Sequence, residues 1–213
     1  MARRITEFLP TNTPVTTAIT KFGGQPTWLG EPTWPISVGW NIPMRFICQV
    51  EVDGGLAYVF VTHPEPGGED FFFDPDVIEP DGGENAVIIQ PNGHYDGPTS
   101  PSPTGPTLYL EDGSPAEFTV TLTERPEPDF LSHDEYMALP EDEQHRYYDA
   151  VSGSKLGGAP AFFQGDAWSP DSPWRLLLQL EADDLPCYLN LGASPLVFVA
   201  ADDGRGQLVI QDS

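Results

Sequence analysis

The residues able to do chemistry in this chain are four histidines, two cysteines, several serines and many carboxylates. None of them stands in a pattern that catalysis or metal binding requires. No serine lies in G-x-S-x-G, the histidines form no H-E-x-x-H pair, and Cys48 and Cys187 have no C-x-x-C context. The sequence therefore predicts a protein that is not an enzyme and that uses no metal or cofactor.

Two segments repeat one set of residues in the same order. Residues 21–26, KFGGQP, correspond to residues 155–160, KLGGAP, and residues 45–53 correspond to residues 175–183. An apolar run follows each pair of blocks. Matched blocks in a fixed order indicate an internal duplication. We expect one domain over 1–213, with halves at about 13–62 and 152–213 around an unduplicated centre at about 63–151.

The repeated glycine pair has two interpretations. A loop that cradles phosphate would need the spacing G-x-x-x-x-G-K-[ST], which is missing here. The pattern favours a tight turn in which a positive φ or a close backbone approach makes a side chain costly, and which lets Lys21 or Lys155 pack along a sheet.

The second repeated block alternates in polarity, and a period of two is typical of a strand with one face in the core. The inward faces are predicted to be Phe46, Cys48, Val50 and Val52 in the first copy, and Trp174, Leu176, Leu178 and Leu180 in the second. The opposite face carries matched polar residues, namely Arg45, Gln49, Arg175 and Gln179, together with Ile47 and Leu177. These polar residues either line a groove between the halves or pair with Glu51 and Glu181 on a covered face.

The formal net charge of −24 is concentrated in the centre of the chain. Residues 63–149 carry 21 acidic residues against two arginines. Such a surface repels nucleic acid and anionic membranes and attracts basic proteins, although it can also serve solubility alone. The acids that we expect to contact a basic partner are Asp70, Asp74, Asp76, Glu79, Glu127, Asp129, Asp134, Glu135, Glu141, Asp142 and Glu143. The run Phe71–Phe73 among them is either a doubly buried strand or an apolar anchor.

The remaining elements are short. Strands are predicted at 86–90, 107–110, 117–123 and 207–210. Ser132 and Glu135 form a capping-box pattern that starts a helix ending near Leu139, and a second helix should run from Pro140 to about Val151. The fold class is therefore α+β, with a predominantly antiparallel sheet and short helices near 132–151. No apolar run has the length of a leader or a membrane span, so we expect a cytoplasmic protein.

The motifs K-x-G-G-x-P, Trp34-Pro35 and G-x-x-I-P-M-R-F-I-C-Q-V resemble the YwqG-like family of bacterial domains of unknown function. The second copy, which ends in L-L-L-Q-L-E, is similar to that family's downstream motif. The resemblance implies a duplicated, largely antiparallel domain without known catalytic residues. It also implies an association with bacterial toxins, in which such domains look like immunity proteins.

Two functions follow as expectations. The first is an immunity protein that neutralises a basic toxin, such as a nuclease delivered by a type VI or other contact-dependent secretion system. The second is a module that binds a small ligand or peptide in the groove between the halves.

Overall fold

The computed structural model describes residues 1–68, 75–192, 195–202 and 204–212. The protein is mostly antiparallel β-sheet with a few short helices, which confirms the predicted fold class. Its strands are β1 (Ala2–Pro10), β2 (Lys21–Gly23), β3 (Trp34–Pro35), β4 (Arg45–Val52), β5 (Gly55–Val61), β6 (Asn85–Gln90), β7 (Thr99–Ser100), β8 (Glu117–Arg125), β9 (Lys155–Leu156), β10 (Arg175–Glu181), β11 (Leu196–Ala201) and β12 (Gly206–Gln211). Its helices are α1 (Pro75–Ile78), α2 (His133–Met137) and α3 (Glu141–Val151), and Ala182–Asp184 form a turn of 3₁₀ helix.

One ten-stranded sheet organises the molecule. Its strand order is β12-β11-β10-β9-β1-β8-β2-β4-β5-β6, and all its neighbouring strands are antiparallel. The sheet curls until its edge strands approach each other. The backbone N–H of His94, just beyond β6, donates to the carbonyl of Gly204, just before β12, at 2.8 Å. The sheet is thus nearly closed around an interior.

Apolar side chains cover both faces of the sheet in both halves. The inner face holds the largest core cluster, which includes Cys48, Val50 and Val199. The outer face of β4–β6 is covered by a cluster around Trp34 and Met44, and that of β10–β12 by a cluster around Trp168. Burial on both faces explains why β5 and β11 are nearly continuous apolar runs.

A β-bulge in β4 overturns part of the predicted alternation. The register shifts between Phe46 and Cys48, and a bulge adds one residue to a strand. Phe46 therefore packs in the outer cluster, whereas Ile47, Cys48 and Val50 all belong to the inner cluster. The prediction that Phe46 shares a face with Cys48 was wrong, and so was the placement of Ile47 on the polar face.

The same correction applies to β10, where the register shifts between Leu176 and Leu178. Leu176 and Trp174 pack in the outer cluster, while Leu178 and Leu180 lie in the inner cluster. Leu177 packs against the inner cluster rather than lying on the polar face.

Most of the other predicted elements are confirmed. Ser132 Oγ accepts from the Glu135 backbone N–H, and Glu135 Oε2 accepts from the Ser132 N–H, so the capping box forms. Residues 107–110, predicted as a strand, form only isolated bridges. The first strand, β1, was not predicted. Within the described ranges, every helix is too short or too polar to cross a membrane.

Candidate functional site

The first K-x-G-G segment buries its lysine. Lys21 is 1% exposed, and its Nζ donates to Glu117 Oε1 at 2.6 Å and to the carbonyls of Val15 at 2.8 Å and Gln25 at 2.7 Å. Three acceptors satisfy all three protons of the ammonium group. Lys21 is therefore engaged within the protein and has no proton left for a phosphate.

The second segment repeats this arrangement with a different acid. Lys155 is fully buried, and its Nζ donates to Glu127 Oε1 at 3.0 Å, to Glu127 Oε2 at 2.8 Å and to the Ala159 carbonyl at 2.6 Å. Arg4 Nη2 lies 3.4 Å from Glu127 Oε1, and the Glu127 side chain is 1% exposed. Burial lowers the pKa of Lys155 to about 8, although Glu127 opposes this shift. Glu127 thus lies in the interior and is not a surface contact for a partner.

The glycines make room for these ion pairs. Gly24 has φ +65° and Gly158 has φ +84°, and a Cβ on either would collide with the carboxylate of Glu117 or Glu127, respectively. The predicted positive φ is confirmed, but its purpose is to admit a carboxylate to the buried lysine. The K-x-G-G motif is a structural ion-pair site.

Gln49 and Gln179 are also structural. Both are fully buried. The Gln49 Oε1 accepts from the Thr27 N–H at 2.8 Å, and the Gln179 Oε1 accepts from the Ala161 N–H at 2.9 Å. Both Nε2 groups donate to backbone carbonyls. The two halves therefore make equivalent contacts, while their descent from a single ancestral unit and their exact boundaries stay predictions.

The matched arginines occupy different environments. Arg45 is 3% exposed; its guanidinium donates to the carbonyls of Thr107 and Pro64 and lies over the ring of Tyr109, 4.7 Å from the centroid. Arg175, at the corresponding position, is exposed. Of the four predicted groove residues, Arg175 lines a cavity between the halves.

That cavity lies at the end of the curled sheet where β4 ends and β10 begins; we call it the open end. Its volume is about 810 Å³. Both halves contribute to its walls, together with the start of β1. Its polar residues are Arg3, Glu51, Asp53, Asn92, Arg175 and Asp202, and its apolar residues include Val52, Ile89, Leu156 and Leu177.

The predicted acidic contacts fall into separate groups. Five of them lie on α2 and α3, which connect β8 to β9; we call residues 133–151 the acidic hairpin. These five, all exposed, are Asp134, Glu135, Glu141, Asp142 and Glu143. Asp129 is exposed just before the hairpin, whereas Asp76 and Glu79 belong to the α1 region, which packs beside β12. Asp70, Asp74 and Phe71–Phe73 lie outside the described residues.

Among the residues described, no group of three or more histidine, cysteine, aspartate or glutamate side chains could hold a metal ion. Cys48 and Cys187 are free thiols, and burial raises the pKa of both, that of Cys187 to about 12. Neither thiol is poised as a nucleophile, because the thiolate is the reactive form.

Comparison with known proteins assigns the chain to a family. No curated protein gives a significant match to the chain. The family described as "Domain of unknown function (DUF1963)" matches residues 20–194, a stretch that includes both K-x-G-G segments, both acid partners of the lysines and the acidic hairpin. The protein belongs to this family of domains of unknown function.

Proposed function

We propose that the protein is an immunity protein that binds a basic bacterial toxin through the acidic hairpin. The observation that carries this proposal is the composition and exposure of the hairpin. It has six acidic residues, the five named above and Asp149, against the single Arg146. All six are exposed.

The hairpin contributes little to the core, although Glu135 caps α2 and Asp142 pairs with Arg146 on the surface. Helix α2 buries none of its residues, and α3 buries only Val151. The hairpin is nevertheless held in place: the Leu131 N–H donates to the Tyr147 hydroxyl at 3.0 Å, and Arg4 Nη2 donates to the Ala150 carbonyl at 2.6 Å. A fixed surface of this kind presents charge without a large ordering cost upon binding.

Apolar groups stand among the acids. Met137 is 55% exposed and Tyr148 is 38% exposed. Protein interfaces combine methionine or aromatic anchors with charged groups that steer the encounter. Met137 and Tyr148 are the residues that we expect to supply binding energy, while the acids supply the association rate.

The toxin assignment draws on charge and on the resemblance to YwqG-like domains. A nuclease presents a basic cleft to nucleic acid, and an acidic protein can occupy or block that cleft. The inhibitor would act in the cytoplasm of the producing cell, where a delivered effector reaches its target.

The test is co-expression with a candidate toxin, taken as a secreted protein encoded beside this gene. The wild type should restore growth and co-elute with that protein. The variant Asp134→Lys, Glu141→Lys, Asp142→Lys, Glu143→Lys should do neither. A control reverses four exposed acids elsewhere, Glu7, Glu111, Asp171 and Asp183, and so changes the net charge equally.

Two results would decide against the proposal. If the wild type gives neither protection nor a complex, the immunity function is wrong. If both four-residue variants behave alike, the hairpin is not the binding surface.

A further inference from the structure

The open end collects arginines that have no partner. Among the lysines and arginines in the described part of the chain, Arg3, Arg125 and Arg175 are the three without an ion pair or a side-chain hydrogen bond. Two of these three line the cavity at the open end. In a protein of net charge −24, two guanidinium groups without ion-pair partners in one cavity are unusual, although the same cavity also holds Glu51, Asp53 and Asp202.

Strand geometry directs both arginines into the cavity. Along β1, Arg3 is on the same face as Ile5, which packs against the inner cluster. Along β10, Arg175 precedes Leu176, which belongs to the outer cluster, so Arg175 faces inward. Strand β9 lies between the two strands, and its Leu156, which also lines the cavity, pairs with Arg3 on one side and with Leu178, three residues after Arg175, on the other.

Part of the cavity wall is apolar. Val52, Ile89, Leu156 and Leu177 belong to this part, and the volume of about 810 Å³ is within the range of small-molecule sites. An apolar wall together with two guanidinium groups suits a molecule with an apolar body and an anionic head. Guanidinium groups bind carboxylate, sulfonate and phosphate oxygens through paired hydrogen bonds.

The acids that line the cavity limit the charge of the ligand. Asp202 is paired with Arg205 at 2.8 Å, so its charge is compensated. Glu51 and Asp53 carry charges that no basic side chain within the described ranges pairs with. Together with the acidic surface, they disfavour a polyanion such as nucleic acid and favour a ligand with a single negative charge.

We infer that the open end binds a small molecule with an apolar body and a single anionic head group, held by Arg3 and Arg175. This site does not involve the acidic hairpin. It locates the ligand site that was predicted between the halves at one end of the sheet.

The experiment uses the full chain and two fluorescent probes with the same ring system. Anilinonaphthalene sulfonate carries one negative charge, and phenylnaphthylamine carries none. The anionic probe should bind saturably at one site, and Arg3→Gln and Arg175→Gln should each weaken it about tenfold, the scale of a lost charge-assisted hydrogen bond. Arg125→Gln, which removes an unpaired arginine outside the cavity, should not.

The uncharged probe should bind the wild type and all three variants alike. Competition by decanoate and by decyl phosphate then shows whether a carboxylate or a phosphate is preferred. The proposal is overturned if the anionic probe fails to saturate, if Arg125→Gln weakens it as much as the other two substitutions, or if neither cavity substitution changes it. All three positions are exposed, so loss of folding would not explain a change in affinity.

Discussion

Glu117, at the start of β8, and Glu127, two residues beyond its end, each neutralise the buried lysine of one half of the molecule. Strand β8 and the two residues after it thus supply both acids, although Lys21 and Lys155 are far apart in the chain. Because β8 lies beside β1 in the middle of the strand order, these ion pairs connect the centre of the sheet to both halves.

Replacing Glu127 should destabilise the protein strongly. Glu127→Gln leaves the Lys155 ammonium buried without its counter-charge, and breaking such a pair costs about 3–5 kcal/mol. Urea unfolding measures the loss. The double variant Glu127→Gln, Lys155→Met should recover part of the stability because no buried charge remains. Glu124→Gln, on the exposed end of β8, is the control, and an equal loss there would contradict the prediction.

The stability contributed by Lys155 should depend on pH. Its pKa is lowered to about 8 by burial from an ordinary value of 10.5, so between these values the unfolded chain binds more protons than the folded one. Stability therefore rises with pH across this window. The free energy of unfolding of the wild type, minus that of Lys155→Met, should increase from pH 8 to pH 10. A flat or falling difference would show that the folded protein does not disfavour the charged lysine.

Substituting the second glycine of the motif separates crowding from backbone strain. Gly24→Ala introduces a Cβ at φ +65° against the Glu117 carboxylate, whereas Gly54→Ala introduces one at φ +75° with no atom within 4 Å. Both should lose about 1 kcal/mol through the unfavourable φ. Gly24→Ala should lose more, because Glu117 must move away from Lys21. Equal losses in thermal unfolding would mean that the carboxylate does not need the space.

Association with a basic partner should depend steeply on salt. With the toxin as the partner, the association rate constant of the wild type should fall as salt rises, because exposed charges are screened. The hairpin variant with four lysines should associate more slowly at low salt and lose most of this dependence. Stopped-flow fluorescence measures both rates, and the reversal at Glu7, Glu111, Asp171 and Asp183 controls for net charge. If the association rates of the two variants depended equally on salt, the charge of the whole surface and not that of the hairpin would steer association.

Sequence patterns predicted where helices and strands lie better than they predicted which side chains share a face of the sheet. The capping box at Ser132 and the alternation in β8 are local signals, and both lead to the observed elements. The bulges at Phe46 and Leu176 have no such signal, because an extra residue in a strand is fixed by its pairing with the neighbouring strand. One added residue moves every earlier side chain to the other face.

The role of Glu127 was not predicted from the sequence either. It lies between two prolines in an acidic stretch, and acidic residues are seldom buried unless they are paired. Its partner Lys155 is 28 residues away. The repeated lysines carried the available signal. Each of two lysines that lie beside apolar residues in a strand needs one acidic partner, and β8 has an acidic residue near each of its ends. The contrast between buried Arg45 and exposed Arg175 had no local signal, since it depends on which end of the sheet the loops cover.

The position of β1 constrains the order in which the molecule can assemble during synthesis. Arg4 pairs with Thr123 on one side and with Lys155 on the other. Although β1 precedes all other strands along the chain, both of its neighbours leave the ribosome much later. The nascent chain must therefore keep β1 unpaired until β8 and β9 have been made, and such distant pairings slow folding. Chaperone contacts with a stalled nascent chain should then concentrate on this earliest segment.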